Sequence, residues 1–307
     1  MSALQDIVII GFGNQAQAWA QNLSDSAIEF KVAVRPGPSY QKAKKQNFSV
    51  QDFTSTKNSS GVFILLTPDH THEQILAKLE LNNGSKVIYA HGYSVHQNKL
   101  NQKYPDLDHL LLAPKAIAKE LRSRFVKNED IPAFYSTEHS NDEVQDLALL
   151  KQLAKAIGVG PRPYQTTFKQ ECQADQFSEQ MLLCGGLPAL IEKTFTTLVD
   201  NGVDPKLAYY ESFFEVKLIV DTIFENGLSK FFELISPHAL AGGNKAFKKL
   251  KESKELEEVS TLLWQDIANG NFENQFLETN IEGLRNQTSL FWDNHLISDQ
   301  FNKENRK

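Results

Sequence analysis

Asp6-Ile7-Val8-Ile9-Ile10-Gly11-Phe12-Gly13-Asn14-Gln15-Ala16 decides the fold. The unbroken β-branched run reads as a strand buried on both faces. Two glycines let the chain turn tightly and let backbone approach a pyrophosphate. The helix predicted from about Gln15 to Leu23 then offers its N-terminus to that charge. In this strand–turn–helix setting the pattern is the dinucleotide-binding G-x-G-x-x-G/A fingerprint, with Ala16 at the third glycine position. Gly11, Phe12, Gly13, Asn14 and Gln15 are the candidate cofactor residues. A tight turn in some other α/β protein is the competing reading.

Working outward, the second strand, Phe30 to Val34, ends at Arg35 and not at an acid that would bind a ribose 2′-hydroxyl. Arg35-Pro36-Gly37-Pro38-Ser39 offers a guanidinium and a hydroxyl suited to a 2′-phosphate, so NADPH is favoured over NADH. An ordinary turn carrying a solvated Arg is the alternative. Strands follow at 61–66, 86–90, 110–113 and 133–137, with helices near 41–47, 71–80 and 141–157. That alternation predicts a mostly parallel, doubly wound sheet. Thr67, Pro68, Asp69, His91, Gly92 and Lys115 fall just after strand ends, where ligands bind in open sheets. A lone His or Lys is more often structural, so position carries more weight here than residue type.

Near Gly158-Val159-Gly160-Pro161-Arg162-Pro163 the alternation stops. The chain thus divides into a Rossmann-type domain over 1–165 and an all-helical domain over 166–307. Helix stops are expected at Gly185-Gly186, Asn201-Gly202, Asn226-Gly227 and Gly242-Gly243. A Lys/Glu-rich amphipathic helix is predicted over 245–258, and the last dozen residues read as frayed.

The helical half holds two carboxylate pairs at four-residue spacing, Asp175 with Glu179 and Glu211 with Glu215. On a helix that spacing stacks both side chains on one face. The stretch from Leu207 to Val220 is apolar on nearly every side, which predicts burial. A buried ionised carboxylate needs a cation, a partner or a shifted pKa. For Asp175/Glu179 alone, a solvated helix face is the simpler reading. Two such pairs point to a hard divalent metal, Mg2+, which takes oxygen ligands and keeps several waters.

Composition supplies the frame. The chain has 307 residues, a formal net charge of −6 and two cysteines, Cys172 and Cys184. The acidic balance argues against a nucleic-acid surface. The cysteine usage fits a reducing compartment. No apolar stretch is read as reaching membrane-spanning length, so a cytoplasmic protein without a membrane partner is expected.

Taken in order, these motifs resemble ketol-acid reductoisomerase in its short form. Ile10-Gly11-Phe12-Gly13-Asn14-Gln15 is similar to the family's cofactor turn, and Arg35 to Ser39 to its 2′-phosphate loop. Ala90-His91-Gly92-Tyr93-Ser94-Val95-His96 resembles its histidine motif and Ala113-Pro114-Lys115 its lysine motif. Asp175-Gln176-Phe177-Ser178-Glu179-Gln180 into Leu183-Cys184-Gly185-Gly186, and Lys217-Leu218-Ile219-Val220-Asp221 with its upstream glutamates, are the most specific matches. Trp264-Gln265-Asp266-Ile267-Ala268-Asn269-Gly270-Asn271-Phe272 resembles the family's penultimate helix and turn.

The resemblance implies an NADPH-dependent enzyme of branched-chain amino-acid biosynthesis acting on 2-acetolactate-type 2-hydroxy-keto acids. It implies two Mg2+ ions, bridged by Asp175, with Glu179 on one and Glu211 and Glu215 on the other. It also implies a homodimer whose subunits share each active site, a knotted helical domain, and Ser236 as the contact for the substrate carboxylate. His91 and Lys115 would complete the catalytic set with Asp175, Glu179 and Glu215. The chain departs from the pattern where Lys115 is followed by Ala116-Ile117-Ala118 in place of Gly-Pro-Gly. Phe214 stands between the paired glutamates in place of a histidine, and Pro237-His238-Ala239-Leu240 replaces a more polar stretch after Ser236. A reductase of a different 2-keto acid, and a catalytically silent relative, are the alternatives these departures keep open.

Overall fold

A computed structural model describes residues 4–160 and 163–305, so Pro161 and Arg162 lie outside the described residues. Its contacts divide the chain into two compact units, Met1–Ala174 and Asp175–Lys307.

The first unit runs β1 (Ile7–Ile10), α1 (Asn14–Asp25), β2 (Phe30–Val34), α2 (Pro38–Lys45), β3 (Val50–Asp52), β4 (Val62–Leu65), α3 (His72–Leu79) and β5 (Lys86–Tyr89). It continues through α4 (Tyr93–His96), α5 (Leu100–Lys103), β6 (Asp108–Pro114), α6 (Ala118–Lys127), β7 (Ala133–His139), α7 (Glu143–Ala156), β8 (Tyr164–Gln165) and the start of α8 (Phe168–Ser178). The strands form one sheet in the order β3-β2-β1-β4-β5-β6-β7-β8. Pairing is parallel from β3 across to β6, while β7 runs antiparallel to β6 and β8 parallel to β7. The order 3-2-1-4-5-6 is that of a dinucleotide-binding sheet, with its crevice outside the carboxyl ends of β1 and β4.

Strand period two sorts the apolar residues onto two faces. Ile7, Ile9, Val32, Ile64 and Leu110 pack with Trp19 of α1 and Leu150 of α7. Ile10, Phe63, Leu65, Val87 and Leu111 pack with Leu76 and Leu79 of α3. Strands β3 and β8 and helix α6 were not anticipated. The two strands are very short, and α6 is charged enough to read as loop, with only Leu121 fully buried. Phe168 at the start of α8 packs on the sheet against Tyr89 and His139.

In the second unit a π-helical turn (Glu179–Leu183) joins α8 to α9 (Gly186–Asp200), and a second (Tyr210–Phe214) joins α10 (Pro205–Tyr209) to α11 (Glu215–Leu234). Then come α12 (Pro237–Lys251), α13 (Lys254–Asn269), α14 (Asn271–Glu278), α15 (Ile281–Asp293) and α16 (Leu296–Asn305). Phe195, Ala208, Tyr209 and Ile297 form its small core.

Several expectations need correction. Gly242-Gly243 does not stop a helix but sits inside α12. The helix expected over 245–258 is two helices, broken where Ser253 caps α13 by accepting from the Leu256 N–H. Gly227, with φ of 75° and ψ of 160°, breaks α11 into two helices, as the stop expected at Asn226-Gly227 has it. The terminal residues are helical in α16, pinned by buried Ile297 and Gln300. Phe168–Asp200 is one helical run of 33 residues, long and apolar enough by length and composition to cross a bilayer. Its first turns carry Glu171, Asp175 and Glu179, which a hydrocarbon interior penalises. Finally, the segment around Glu211 and Glu215 is not buried. Glu211, Phe213, Phe214, Glu215, Leu218 and Val220 are all exposed, because no described residue of the same chain covers them.

Candidate active site

The carboxyl ends of β1, β2 and β4 open onto a cavity of about 650 Å3. Gly11, Phe12, Gly13, Arg35, Ser39, Thr67 and Pro68 all line it, as the strand–turn–helix reading requires. Gly11 holds φ at +98°, and a Cβ there would lie 2.6 Å from the Thr67 methyl and 3.1 Å from the Leu66 carbonyl oxygen. Only glycine lets the turn pass the end of β4 this closely. Asn14 and Gln15 open α1 just beyond the cavity's glycine turn, and a helix N-terminus suits phosphate. Gln15 reaches across the turn and donates Nε2–H to the Ala116 carbonyl at 3.0 Å. No acidic residue lines the cavity, so a dinucleotide with a 2′-phosphate fits its charge.

A second constellation gathers at the ends of β4, β5 and β6. Asp69 Oδ2 lies 3.6 Å from His91 Nδ1, and His91 Nε2 lies 3.9 Å from Glu171 Oε2. Glu171 Oε1 is 3.3 Å from Lys115 Nζ. The Gly92 N–H donates to Glu171 Oε2 at 2.6 Å. Glu171 is 1% exposed at its side chain, so its charge is matched by these neighbours and not by water. Burial alone would raise the Asp69 carboxyl, but the hydrogen bond and charge of His91, with His72 and His70 beyond, hold it below the usual range. His72 is buried behind this row, with Nδ1 2.7 Å from the Ser94 hydroxyl and Nε2 3.0 Å from the Thr67 carbonyl.

Sequence reasoning missed Glu171. It stands one helical turn before Asp175 in α8, and Glu171, Asp175 and Glu179 form a run of acids at equal four-residue steps. That run was the available signal. Its near-total burial was not visible in the sequence.

Asp175 closes α8 half-buried, and Glu179 opens the first π-helical turn in an exposed position. Glu211 lies in the second π-helical turn and Glu215 begins α11, both exposed. Each pair thus has one member within a π-helical turn, a feature frequent at functional sites. An all-carboxylate donor set suits Mg2+. Among the described residues, no group of three ligand atoms within 4.8 Å of one another includes Glu179, Glu211 or Glu215. Ser236 caps α12, its Oγ accepting from the Ala239 N–H at 3.2 Å.

Comparison with known proteins agrees with the fold. The family described as acetohydroxy acid isomeroreductase, NADPH-binding domain, matches residues 3–162, and ketol-acid reductoisomerase, C-terminal domain, matches 168–300. An NADH-preferring ketol-acid reductoisomerase from an uncultured archean is similar in structure, with TM-score 0.83 and 27% identity over 98% of this chain and 95% of that one. Two others share the fold alone. Pyrroline-5-carboxylate reductase of Streptococcus pyogenes has TM-score 0.58 at 16% identity, covering 87% of this chain and 99% of its own. Mycobacterium tuberculosis 3-hydroxyisobutyrate dehydrogenase has TM-score 0.53 at 14% identity, covering 87% of each chain.

Proposed function

Because the chain belongs to the ketol-acid reductoisomerase family, we propose that it is an NADPH- and Mg2+-dependent member acting on 2-acetolactate-type 2-hydroxy-2-alkyl-3-keto acids. The product is a 2,3-dihydroxy acid of branched-chain amino-acid biosynthesis, made in the cytoplasm. The observation that carries the reading is the buried Glu171 carboxylate held between Lys115 and His91, one turn before the first carboxylate pair. When bound, Mg2+ supplies Lewis-acid stabilisation of negative charge moving between neighbouring substrate oxygens, and NADPH supplies the hydride.

The chain's own residues do the rest. Glu171 takes the proton of the substrate hydroxyl at an oxygen already oriented by the Gly92 N–H. Lys115 stabilises the resulting local negative charge, and His91, aligned by Asp69, keeps Glu171 in place. Asp175, Glu179, Glu211 and Glu215 would hold the metal. Ser236, at the start of α12, would bind the substrate carboxylate at a helix N-terminus.

The same reading extends to a homodimer with shared active sites, which an exposed apolar surface supports. Glu211 and Glu215 stand on an exposed apolar surface that includes Phe213, Phe214 and Leu218. Such a surface marks an interface. A second copy laid there supplies the carboxylates that one chain does not bring together.

The cofactor has a second reading, since the archaeal relative is NADH-preferring. Arg35, Ser39 and the lack of a lining acid favour NADPH in this chain. Incubation with 2-acetolactate, Mg2+ and NADPH, with the product identified by NMR, tests the reaction. The expected product is 2,3-dihydroxy-3-methylbutanoate. Reduction of 3-hydroxy-3-methyl-2-oxobutanoate without any conversion of acetolactate would reassign the chain as a 2-keto acid reductase. No turnover of either would make it a silent relative.

A further inference from the structure

Helix α3 brings a cation into the dinucleotide cavity that the glycine fingerprint and the β2 loop do not account for. Thr71, Gln74, Ile75 and Lys78 line the same cavity as Arg35 and Ser39. Of the lining residues, Arg35 and Lys78 are charged, and none is acidic. The neighbouring acids are engaged elsewhere. Asp52 accepts from the N–H of Thr54 at 2.8 Å and from its hydroxyl, Glu73 pairs with Lys103 at 2.7 Å, and Glu80 pairs with Lys57 at 3.1 Å. The cavity therefore keeps two positive charges that nearby carboxylates do not offset. The pyrophosphate has its own partners in the N–H groups at the start of α1. A second cation adds most to binding where the ligand carries a further, nearly dianionic group.

We propose that Lys78 is a specificity-determining residue, acting with Arg35 on the adenosine 2′-phosphate of NADPH. This rests on the NADPH reading above and extends it to a different element of the fold. Arg35 presents a planar fork for bidentate contact, whereas Lys78 contributes a mobile point charge from α3. A competing role for Lys78 is purely structural, since it lies in the last turn of α3, where a cation complements the helix dipole. The two roles differ in what they predict for NADH.

The test is equilibrium binding to the protein without substrate. NADPH and NADH are titrated by nicotinamide fluorescence, and 2′,5′-ADP and 5′-ADP by calorimetry. Lys78→Met should weaken NADPH and 2′,5′-ADP about tenfold, as expected for one solvent-accessible charge-assisted contact. Binding of NADH and 5′-ADP should hold, which also shows that the variant is folded. Lys78→Arg should retain most of the NADPH affinity, and Lys78→Met should flatten the salt dependence of NADPH binding. Equal weakening of both dinucleotides, or no change in either, would overturn the proposal. An Arg35→Asp/Ser39→Asp chain that loses its NADPH preference while Lys78→Met keeps it would overturn this proposal alone. A wild-type chain that binds NADH more tightly would overturn the NADPH reading, and this proposal with it.

Discussion

Gly92 and Glu171 hold each other in place: the Gly92 N–H donates to Glu171 Oε2 at 2.6 Å, and no side chain at 92 fits beside α8. A Cβ on Gly92 would sit 2.2 Å from the Phe168 carbonyl oxygen and 3.1 Å from Glu171 Oε2. Backbone cannot yield as a flexible side chain does. Gly92→Ala should therefore destabilise the first unit by about 1–3 kcal/mol, the usual scale for overpacking. Thermal unfolding measures the loss, and an unchanged midpoint would mean that α8 can slide along the sheet.

Glu171→Gln keeps an acceptor for the Gly92 N–H but removes the charge that faces Lys115 and His91. Turnover should fall roughly a hundredfold or more, the scale of a lost general base, while stability changes little. A kcat within a few-fold of wild type would give Glu171 a structural role only.

The two carboxylate pairs make a sharper prediction when chains are mixed. Asp175→Asn and Glu211→Gln should each abolish turnover and weaken Mg2+ binding. If the pairs meet across a dimer, unfolding and refolding the two variants together rebuilds an intact site in each mixed pair. About a quarter of wild-type activity should return under random assortment. No recovery, with mixed dimers present, would place both pairs of each site on one chain. Full wild-type activity in excess chelator would remove the metal requirement altogether.

Ala116, Ile117 and Ala118 put side chains where the family pattern has mostly bare backbone. Ala116 and Ala118 pack against the core, Ile117 is 70% exposed, and the Ala116 carbonyl is tied to Gln15 of the cofactor turn. Rearrangement demands closer alignment of the substrate than reduction does, and a misplacement of about 1 Å costs on the order of a hundredfold. Reduction of 3-hydroxy-3-methyl-2-oxobutanoate should be better preserved than conversion of acetolactate. Restoring Gly-Pro-Gly at 116–118 should raise the acetolactate rate more than the reduction rate. Equal effects on both would show the departure to be neutral.

His72 sets part of the acid limb of stability. Burial pushes its imidazole below the ordinary 6.5, against the opposing pull of Asp69 and the Thr67 carbonyl. The unfolded chain therefore binds this proton more readily, and stability rises with pH through the window below 6.5. On acidification it is lost from that point downward. Burial lowers His96 and His109 too, so they act in the same direction. His72→Gln can still donate to Thr67 and accept from Ser94, yet it does not titrate. Urea midpoints between about pH 7 and pH 5 should slope less steeply in this variant. An identical slope would assign the acid limb to the other histidines.

Much of the first unit was legible because strand and helix periods alternate cleanly there, and the glycine turn sits where both periods meet. β1, β2, β4 and β5 lie within a residue of where their apolar runs place them. Glu171 was hidden by its ordinariness, since nothing in Gln170-Glu171-Cys172 says that α8 lies against Gly92. Around Glu211 the apolar pattern predicted burial that the described residues of this chain do not supply, since a pattern carries no information on what packs against it. The π-helical turns were unreadable for a different reason. Acids four apart look the same in an α-helix as across a turn closed by bonds from i to i+5.

Those turns bear on how this sequence tolerates insertion and deletion. In the first, the Cys184 N–H reaches back five residues to the Glu179 carbonyl, so the loop holds one residue more than an α-helical turn. Losing any one residue between Glu179 and Cys184 would let the helix close as α with no break in its hydrogen bonding. The wide turn's five residues sweep about the same angle as four α-helical ones, so α9 would keep nearly its present direction from α8. A deletion that turns everything downstream by about 100° in a regular α-helix would here be absorbed by loss of the wide turn. The spacing of Asp175 and Glu179 is thus less exposed to a one-residue change just after it than a regular helix would leave it.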